Sequence, residues 1–421
     1  MTAHFEAAGR RLDVAKLNLP GSYLVLEVTN RCPLKCGHCA VSEADDGHPH
    51  YAVYEHMPVG MVRELMQDLR ASGLTYDALI LFWLGEPLSH PQFTEIYATV
   101  LEYSGDGEIF KKIEVHTNTF PLSEHIARSV LNDRSVPQVW HLTLDAIRPE
   151  TFHVIKGLDA MEKSTRNALR MVRLKGATQA TKPKLAMQFI VSDVNADEAP
   201  EFVDYWVKAY EEAGLPIETT GFHVPAHGPE NYIFLKSLDC PTPEEQDRQN
   251  RVYVDLMTSL GLRSPIDPDA ERRVGTEVPR TLLTTCSGFF KSPTIASDGR
   301  VTVCTRDNTY HLVVGSLADA SFSKVWLDSP VLNRRRQLTA RGDYSELDFC
   351  KTCFIPHSVN YSGITRDEVE QFLEGRGLDG PDIPAVPGLP PGARAYPEVY
   401  VGPGRDQVYE DRTGSREEAS A

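Results

Sequence analysis

The chain has 421 residues, 41% hydrophobic and 24% charged, a composition typical of a globular protein with a sizeable core. Its 43 Lys and Arg against 59 Asp and Glu give a net charge of −16, which argues against nucleic acid as the main partner and suits a cationic small substrate. No apolar run is long enough for a membrane span, and residues 1–21 do not read as a signal peptide. We therefore expect a cytoplasmic, reducing location, where cysteines act as metal ligands or catalysts rather than in disulfides.

Apolar strand-like runs alternate with amphipathic helical stretches over the first half of the chain, which predicts a parallel sheet of βαβ units. The predicted strands are 23–28, 78–84, 112–117, 139–144, 185–191 and 217–224. The predicted helices are 59–73, 91–105, 124–133, 161–176 and 196–214. Six units predict an α/β fold, a partial (β/α)6 barrel, whose chemistry lies in loops at the C-terminal ends of the strands.

Directly after the first predicted strand, Cys32, Cys36 and Cys39 form a C-x3-C-x2-C pattern in EVTNRCPLKCGHCA (27–40). Zinc usually takes four ligands in two pairs, and the local sequence has no fourth. Iron–sulfur clusters are held by closely spaced thiolates. Three thiolates on a four-iron cube leave one iron open, and an open iron can chelate a small molecule.

The C-terminal third has a different character and a second group of cysteines. A connecting segment with one predicted helix (243–261) leads to a predicted hairpin over 294–304, with its turn at Asp298-Gly299, and then to a helix over 321–342 opened by a serine cap. After about residue 376 the chain is rich in Pro and Gly, and we expect a disordered or surface-draped tail. The cysteines of this region that could saturate one metal ion or one cluster are Cys286, Cys304, Cys350 and Cys353; a zinc ribbon is the alternative.

The stretch LEVTNRCPLKCGHCA (26–40) resembles the signature of the radical S-adenosylmethionine (SAM) superfamily. In that family the open iron binds SAM, and one-electron cleavage of SAM yields a 5′-deoxyadenosyl radical that removes a hydrogen atom from the substrate. The resemblance implies SAM and a [4Fe–4S] cluster held by Cys32, Cys36 and Cys39. It also implies an external electron donor such as flavodoxin or ferredoxin.

Further stretches resemble the SAM-contacting elements of the same family. WLGEPLSHP (83–91) is similar to the GGEP motif with Leu84 in place of the first glycine, and HTNTF (116–120) to the TNG element with Thr119 in place of glycine. LTLDAIRPETFHVIKG (142–157) resembles the fourth-strand segment, whose Thr143, Asp145 and Lys156 are as readily structural as SAM-binding. The implied SAM contacts are His38, Gly85, Glu86, Pro87, Thr117, Asn118, Thr143, Asp145 and Lys156.

The C-x12-G-x4-C element between Cys286 and Cys304 resembles the auxiliary-cluster subdomain of SPASM and twitch radical SAM enzymes. Four cysteines match the shorter twitch form, which implies a second [4Fe–4S] cluster. The expected domains are an N-terminal extension (1–21), the barrel (22–225), a connecting helical segment (226–283), the auxiliary subdomain (284–358) and a C-terminal helix with the tail (359–421).

The spacing of these four cysteines resembles the aminocyclitol (2-deoxy-scyllo-inosamine) dehydrogenases of aminoglycoside biosynthesis. The resemblance implies removal of hydrogen from a carbinol carbon and oxidation to a ketone, with the auxiliary cluster taking an electron. The alternatives are an epimerase with Cys240 as hydrogen donor, a peptide-modifying maturase, and a regulatory iron–sulfur protein without SAM cleavage. The candidate substrate or catalytic residues are His223, His227, Cys240, Arg306 and Asp307.

Overall fold

The computed structural model describes residues 4–7, 10–42, 55–105, 107–223, 230–266, 285–351, 353 and 363–377. The strands are β1 (His4–Ala7), β2 (Arg10–Asp13), β3 (Tyr23–Leu26), β4 (Tyr76–Leu81), β5 (Phe110–Thr117), β6 (Gln138–Thr143), β7 (Lys184–Val191), β8 (Glu218–Thr220), β9 (Asn231–Ser237), β10 (Thr294–Ile295), β11 (Arg300–Thr302) and β12 (Gly315–Ser316).

The helices are α1 (Val14–Leu17), α2 (Val59–Ser72), α3 (Phe93–Ser104), α4 (Glu124–Val130), α5 (Pro149–Lys156), α6 (Met161–Thr178), α7 (Ala199–Glu212), α8 (Pro243–Ser259), α9 (Gly288–Lys291), α10 (Pro330–Ala340), α11 (Asp348–Lys351) and α12 (Arg366–Gly375). Short 3-10 turns stand at Pro87–Ser89 and Ala196–Glu198, and a π-helical segment at Lys324–Asp328. Among the described residues, none of these helices has both the length and the apolar character needed to cross a bilayer.

One ten-stranded sheet organises the molecule, in the order β12-β11-β10-β3-β4-β5-β6-β7-β9-β8. The strands from β3 to β8 are parallel to their neighbours, and β10 joins the outer edge of β3, also in parallel. The antiparallel β10–β11 pair is the predicted hairpin, with Gly299 at its turn in the left-handed region. The α/β class and the partial (β/α)6 barrel with a C-terminal hairpin and helix subdomain are confirmed.

The sixth barrel strand was predicted wrongly. The stretch predicted as strand 217–224 contains only the three-residue β8 at the sheet edge, whereas β9 pairs with β7 over seven positions. A strand inside a parallel sheet is covered on both faces and needs a continuous apolar run. NYIFLKS of β9 is such a run, with its first five residues buried, while β8 is partly exposed. The barrel sheet therefore extends to Ser237, past the expected boundary at 225.

The predicted helices are present with similar bounds, and the packing of α2 shows why. Buried Val62, Leu65, Met66 and Leu69 recur at helical spacing, so that one face of α2 joins the main apolar core. Gly73 ends the helix in the left-handed region, where its amide donates to Leu69 O at 3.1 Å.

The helix predicted over 321–342 is two segments, which corrects the single-helix prediction. The π-helical Lys324–Asp328 ends before Ser329, and α10 begins at Pro330. Proline has no amide hydrogen and is favoured at a first helical position. The Ser329 hydroxyl caps α10 by accepting from Leu332 N at 3.3 Å, so the serine cap is at Ser329 and not at Ser321, where the predicted helix began.

Glu27, just beyond β3, joins three parts of the chain through one buried carboxylate. Its Oε1 accepts from the amides of Leu84 and Gly85, both at 3.2 Å, and its Oε2 accepts from Ser297 N at 3.2 Å in the β10–β11 hairpin. A second link runs from Trp83 Nε1 to Thr305 O at 2.7 Å. Burial raises the pKa of Glu27 from 4.5 to about 7, against the effect of its amide donors.

The raised pKa of Glu27 predicts a pH dependence of stability. The folded protein holds the proton between pH 4.5 and about 7 while the unfolded chain has lost it, so the free energy of unfolding falls as pH rises through this window. The contribution is on the order of 3 kcal/mol. We expect Glu27→Gln, which mimics the neutral acid, to flatten the change in thermal unfolding temperature between pH 5 and 8.

Glu64→Gln is the matched control, because Glu64 is exposed on α2. This variant should retain the pH dependence of the wild-type protein. An equal slope in wild type and Glu27→Gln would contradict the assignment.

Candidate active site

The first group of thiols lies in the loop that follows β3, at the C-terminal ends of the barrel strands. Cys32, Cys36 and Cys39 are partly buried, and burial raises the pKa of all three thiols. A thiolate at Cys36 or at Cys39 also raises the pKa of Cys32, which is about 12. The three sulfurs therefore face a shared space and would ionise only with a metal to hold them.

The C-terminal end of α5 holds the cysteine loop in place. The amides of Lys35 and Gly37 donate to the carbonyl oxygens of Lys156 and Ile155, at 3.1 and 2.9 Å. Gly157 just beyond α5 has a φ of +69° and lies so close to the loop that a Cβ there would be 2.3 Å from Lys35 O. The helix end thus supplies acceptors, and glycine supplies the space for the close approach.

The second group of thiols is brought together from three segments of the auxiliary subdomain. Cys286 precedes α9, Cys304 follows β11, and Cys350 and Cys353 lie in and just after α11. Burial, with a smaller contribution from neighbouring thiolates of the group, raises the pKa of Cys304 and Cys350 to about 12. The pKa of Cys286 is raised in the same way.

A backbone N–H two residues further on donates to the sulfur in both groups. The pairs are Cys32 with Leu34, Cys39 with Val41, Cys286 with Gly288, and Cys304 with Arg306, the last at 3.3 Å. Amide donors around sulfur are the interactions that tune iron–sulfur clusters. The same local turn has therefore formed independently in two distant parts of the chain.

The sulfurs of the two thiol groups are not gathered as closely as a zinc ion requires. Zn–S bonds of about 2.3 Å place tetrahedral sulfurs roughly 3.8 Å apart. In the described part of the chain, the one set of three or more possible ligand atoms within 4.8 Å of one another is Glu114, His116 and His141, and no cysteine belongs to it. A cube takes one thiolate for each iron, so the four C-terminal cysteines match a complete cube, and Cys32, Cys36 and Cys39 match a cube with one open iron.

The Gly85-Glu86-Pro87 stretch forms the floor beside the first thiol group. Glu86 is 3% exposed, and its carboxylate accepts from Leu88 N (3.0 Å), Thr117 Oγ1 (2.8 Å) and Asn118 N (2.7 Å). Its role in this structure is to tie the loop after β4 to the end of β5. A Cβ on Gly85 would lie 1.9 Å from Thr29 O, so only glycine fits there.

The end of β5 touches the first thiol group through Asn118, whose Nδ2 lies 3.5 Å from Cys32 Sγ. Thr119 occupies the position of the family's glycine at a φ of +63°, a conformation that is unfavourable for a β-branched residue. Its hydroxyl donates to Ser164 O at 3.0 Å, and Asn167 Nδ2 donates to its carbonyl at 2.9 Å. These two bonds from α6 hold the left-handed turn without a glycine.

The predicted fourth-strand residues are tied mainly to one another. Thr143 Oγ1 donates to Thr117 O at 3.1 Å. Asp145, in the left-handed region at φ +62°, pairs with the buried Lys156 ammonium and accepts from Ile190 N at 2.7 Å. Burial lowers the pKa of Lys156, but the Asp145 carboxylate and the nearby Cys36 thiol raise it overall. The ammonium therefore stays charged beside the first thiol group.

The remaining predicted residues lie at the rim of the site. His38 is exposed on the cysteine loop, and Pro87 begins the 3-10 turn after Glu86. Arg306 donates to Cys240 O at 2.6 Å and so connects the auxiliary thiols to the loop after β9. Asp307 accepts from His311 N and Leu312 N, at 2.7 and 2.8 Å, and is structural in this arrangement.

His223 lies on the inner side of the sheet, against Phe234 at 4.6 Å between ring centroids. Burial lowers its pKa to about 3. Cys240 is 5% exposed, and its sulfur lies 3.9 Å from Leu238 O in its own loop. The sulfur is thus engaged locally, and burial raises its pKa. His227 lies outside the described residues.

The sequence analysis missed a polar group on the inner face of the sheet. Lys112, Glu114 and His116 alternate along β5 and so share one face, while Ile113 and Val115 between them join the main core. Lys112 Nζ lies 2.8 Å from Glu114 Oε1, and His141 of β6 lies beside them. The signal was present, since charged residues at alternate positions do not belong in an ordinary parallel strand.

Two family models match the chain. Residues 26–204 match the Radical SAM superfamily, and residues 286–354 match SPASM, an iron–sulfur cluster-binding domain. A comparison with curated protein sequences gave no significant match.

Solved structures share the fold at low identity. SuiB of Streptococcus suis bound to S-adenosylmethionine is 13% identical, with a TM-score of 0.50, over 76% of this chain and 68% of that one. SuiB bound to precursor peptide SuiA is 12% identical, with a TM-score of 0.51, over 75% and 66%. BtrN in complex with AdoMet and 2-DOIA is 13% identical, with a TM-score of 0.43, over 81% and 94%.

A substitution at Gly85 tests the close approach beneath the cysteine loop. We expect Gly85→Ala to lower the free energy of unfolding by about 3 kcal/mol or more, because the new Cβ would collide with the backbone of Thr29 and Asn30. Chemical denaturation measures this. Gly60→Ala on α2 is the control, since its Cβ meets nothing within 4 Å; it should be neutral or stabilising by up to about 1 kcal/mol. Equal effects of the two substitutions would disprove the contact.

Iron counting tests the division of the eight cysteines. After anaerobic reconstitution we expect about eight irons per wild-type chain and about four in Cys350→Ala. Cys240→Ala is the matched control, because it also removes one buried thiol, and it should keep about eight. A loss of iron in Cys240→Ala, or none in Cys350→Ala, would show that the ligands are assigned wrongly.

Proposed function

We propose that the chain, which matches the Radical SAM superfamily over residues 26–204 and SPASM over 286–354, is a radical SAM oxidoreductase of aminocyclitols or amino sugars that uses SAM and iron–sulfur clusters. In this proposal it oxidises a carbinol carbon to a ketone, in a pathway of the aminoglycoside type. The ligands of the first cluster are Cys32, Cys36 and Cys39. Those of the auxiliary cluster are Cys286, Cys304, Cys350 and Cys353.

The observation that carries the proposal is the polar inner wall of the sheet. Its buried charges are balanced, since Lys112 pairs with Glu114 at 2.8 Å, and at the exposed end of β9 Lys236 pairs with Asp239 at 2.9 Å. A substrate with several like charges would find no complementary field there. Hydroxyl groups with an amine suit these paired charges and neutral imidazoles, because hydroxyls both donate and accept hydrogen bonds.

The auxiliary thiols support electron transfer rather than substrate binding. Four thiolates provide one ligand for each iron of a cube, so no iron is left for substrate. Arg306 joins this group to the loop after β9 through its bonds to Cys304 Sγ and Cys240 O. This link to the loop after β9 supports a second cluster that would accept an electron from the substrate.

When bound, SAM and the clusters supply one-electron chemistry, which takes a hydrogen atom and then an electron from the substrate. The chain's own residues hold and shield the reacting groups. Glu86 and Asn118 fix the loop after β4 and the end of β5 around the first thiol group. The Lys156 ammonium faces the same group. SAM cleavage would need an electron from an external donor such as flavodoxin or ferredoxin. The substrate in this proposal is a small cationic, carbohydrate-like molecule.

A substrate panel tests the reaction. We expect the reconstituted protein with dithionite, SAM and 2-deoxy-scyllo-inosamine or related amino sugars to form 5′-deoxyadenosine and a product lighter by two hydrogens, measured by mass spectrometry. Cys240→Ala should still form the ketone, because its sulfur is engaged in its own loop.

The epimerase reading predicts a different result. An epimerase would form a product of unchanged mass in H2O that carries a solvent deuterium when the reaction is run in D2O. If this product forms in wild type and not in Cys240→Ala, epimerisation would replace the proposed reaction. Turnover of a peptide but of no carbohydrate would replace it with peptide modification.

A further inference from the structure

We propose that His116 is the base that takes the hydroxyl proton of the substrate, with Glu114 as the residue that positions its ring. This inference deepens the proposed function and rests on it. It assigns a catalytic role to His116, which begins the HTNTF stretch but was not among the candidate catalytic residues of the sequence.

His116 lies near the end of β5, close to the first thiol group. His116 follows Lys112 and Glu114 on the inner face of β5, and Asn118 lies just beyond the end of the strand. Asn118 Nδ2 lies 3.5 Å from Cys32 Sγ. His116 is therefore at the end of β5 that adjoins the first thiol group.

The hydrogen bond between His116 and Glu114 selects the tautomer of the His116 ring. His116 Nε2 lies 3.4 Å from Glu114 Oε2, and Lys112 Nζ lies 2.8 Å from the other carboxylate oxygen. Burial would raise the pKa of Glu114, but the Lys112 ammonium and the His116 bond hold it well below its usual range. An ionised carboxylate only accepts, so Nε2 carries the hydrogen and Nδ1 has the lone pair.

The His116 ring is held between two other rings and is still partly exposed. Phe82 stacks on one side at 4.6 Å between centroids, and His141 on the other at 4.1 Å. The His116 side chain is 14% exposed, whereas that of His141 is 1% exposed. Burial lowers the pKa of His116, so that the ring is neutral and able to accept a proton.

A metal ion is the alternative occupant of this group, and the geometry disfavours it. Glu114, His116 and His141 offer ligand atoms within 4.8 Å of one another. The two imidazole planes differ by only 13°, so their in-plane lone pairs run side by side and do not converge on one ion. The Lys112 ammonium already neutralises the carboxylate.

Oxidation of the carbinol to a ketone removes two hydrogens and, with them, two electrons from the substrate. The carbinol loses two hydrogens, its C–H hydrogen as an atom and its O–H hydrogen as a proton. The O–H bond breaks, an N–H bond forms at His116 Nδ1, and the remaining electron leaves to the auxiliary cluster as C=O forms. The resulting imidazolium lies next to the Glu114 carboxylate, which stabilises the positive charge.

The experiment uses the reconstituted full chain and 2-deoxy-scyllo-inosamine deuterated at its carbinol carbons. In wild type we expect deuterated 5′-deoxyadenosine and ketone in equal amounts. In His116→Asn, deuterium should still reach 5′-deoxyadenosine while ketone falls at least tenfold relative to it. Added imidazole should restore ketone in His116→Ala, and His116→Gln should repeat the uncoupling if the Asn variant loses iron.

The pH profile is the second readout. Ketone formation in wild type should rise with pH through the titration of one imidazole, and this limb should be absent in His116→Asn. The groups that face His116 and affect its titration are Glu114 and Lys112 on β5, His141 on β6, His223, and Lys236 on β9. His125→Asn, on exposed α4, should behave as wild type in both measurements.

Three outcomes would overturn the inference. Equal amounts of 5′-deoxyadenosine and ketone in His116→Asn would show that His116 is not the base. Uncoupling in His223→Asn in place of His116→Asn would move the role to His223. If wild type forms no ketone from any aminocyclitol or amino sugar, the proposed function fails, and the inference fails with it.

Discussion

The architecture depends on a carboxylate that lies where water cannot reach it. Glu27 ends β3, receives the amides at the start of the Gly85-Glu86-Pro87 stretch, and receives Ser297 N from the auxiliary hairpin. Each donor would otherwise be an unpaired buried amide. The cost of burying the charge appears in the raised pKa of Glu27. One side chain therefore links the loop after β4, which adjoins the first thiol group, to the hairpin that precedes Cys304.

The parts of the fold that depend on local pattern could be predicted from the sequence. Alternating apolar runs and helical stretches gave five of the six barrel strands, the Asp298-Gly299 turn gave the hairpin, and thiol spacing gave both groups of cysteines. The sixth strand was assigned to 217–224 although NYIFLKS is the continuous apolar run, because composition alone does not decide between two neighbouring strand-like runs. Its place was set by pairing with β7, an interaction between residues far apart in sequence.

The same limit applies to the site. Motif positions located Glu86, Asn118 and Lys156, but the sequence did not show their partners, and all three are bonded to other protein groups. On the inner wall of β5 and β6, only His116 falls in a quoted motif, HTNTF, and it was given no role there. Lys112, Glu114 and His116 become a group only when the strand alternation is combined with the position of His141 on the next strand. Polar residues that strand pairing brings together from distant parts of the sequence are recognised as a group only in the structure.

The addition of β10 to β3 has a consequence for how the protein could evolve or be divided. An exposed parallel strand at the end of a sheet offers unsatisfied amides and carbonyls to any passing chain and invites aggregation. Here the auxiliary hairpin covers that flank, with Val25 N and Glu27 N bonded to Pro293 O and Ile295 O at 2.9 Å. A barrel expressed without the C-terminal subdomain would expose this strand edge and would also lack the second group of cysteines. We therefore expect the two parts to fold well only as one chain.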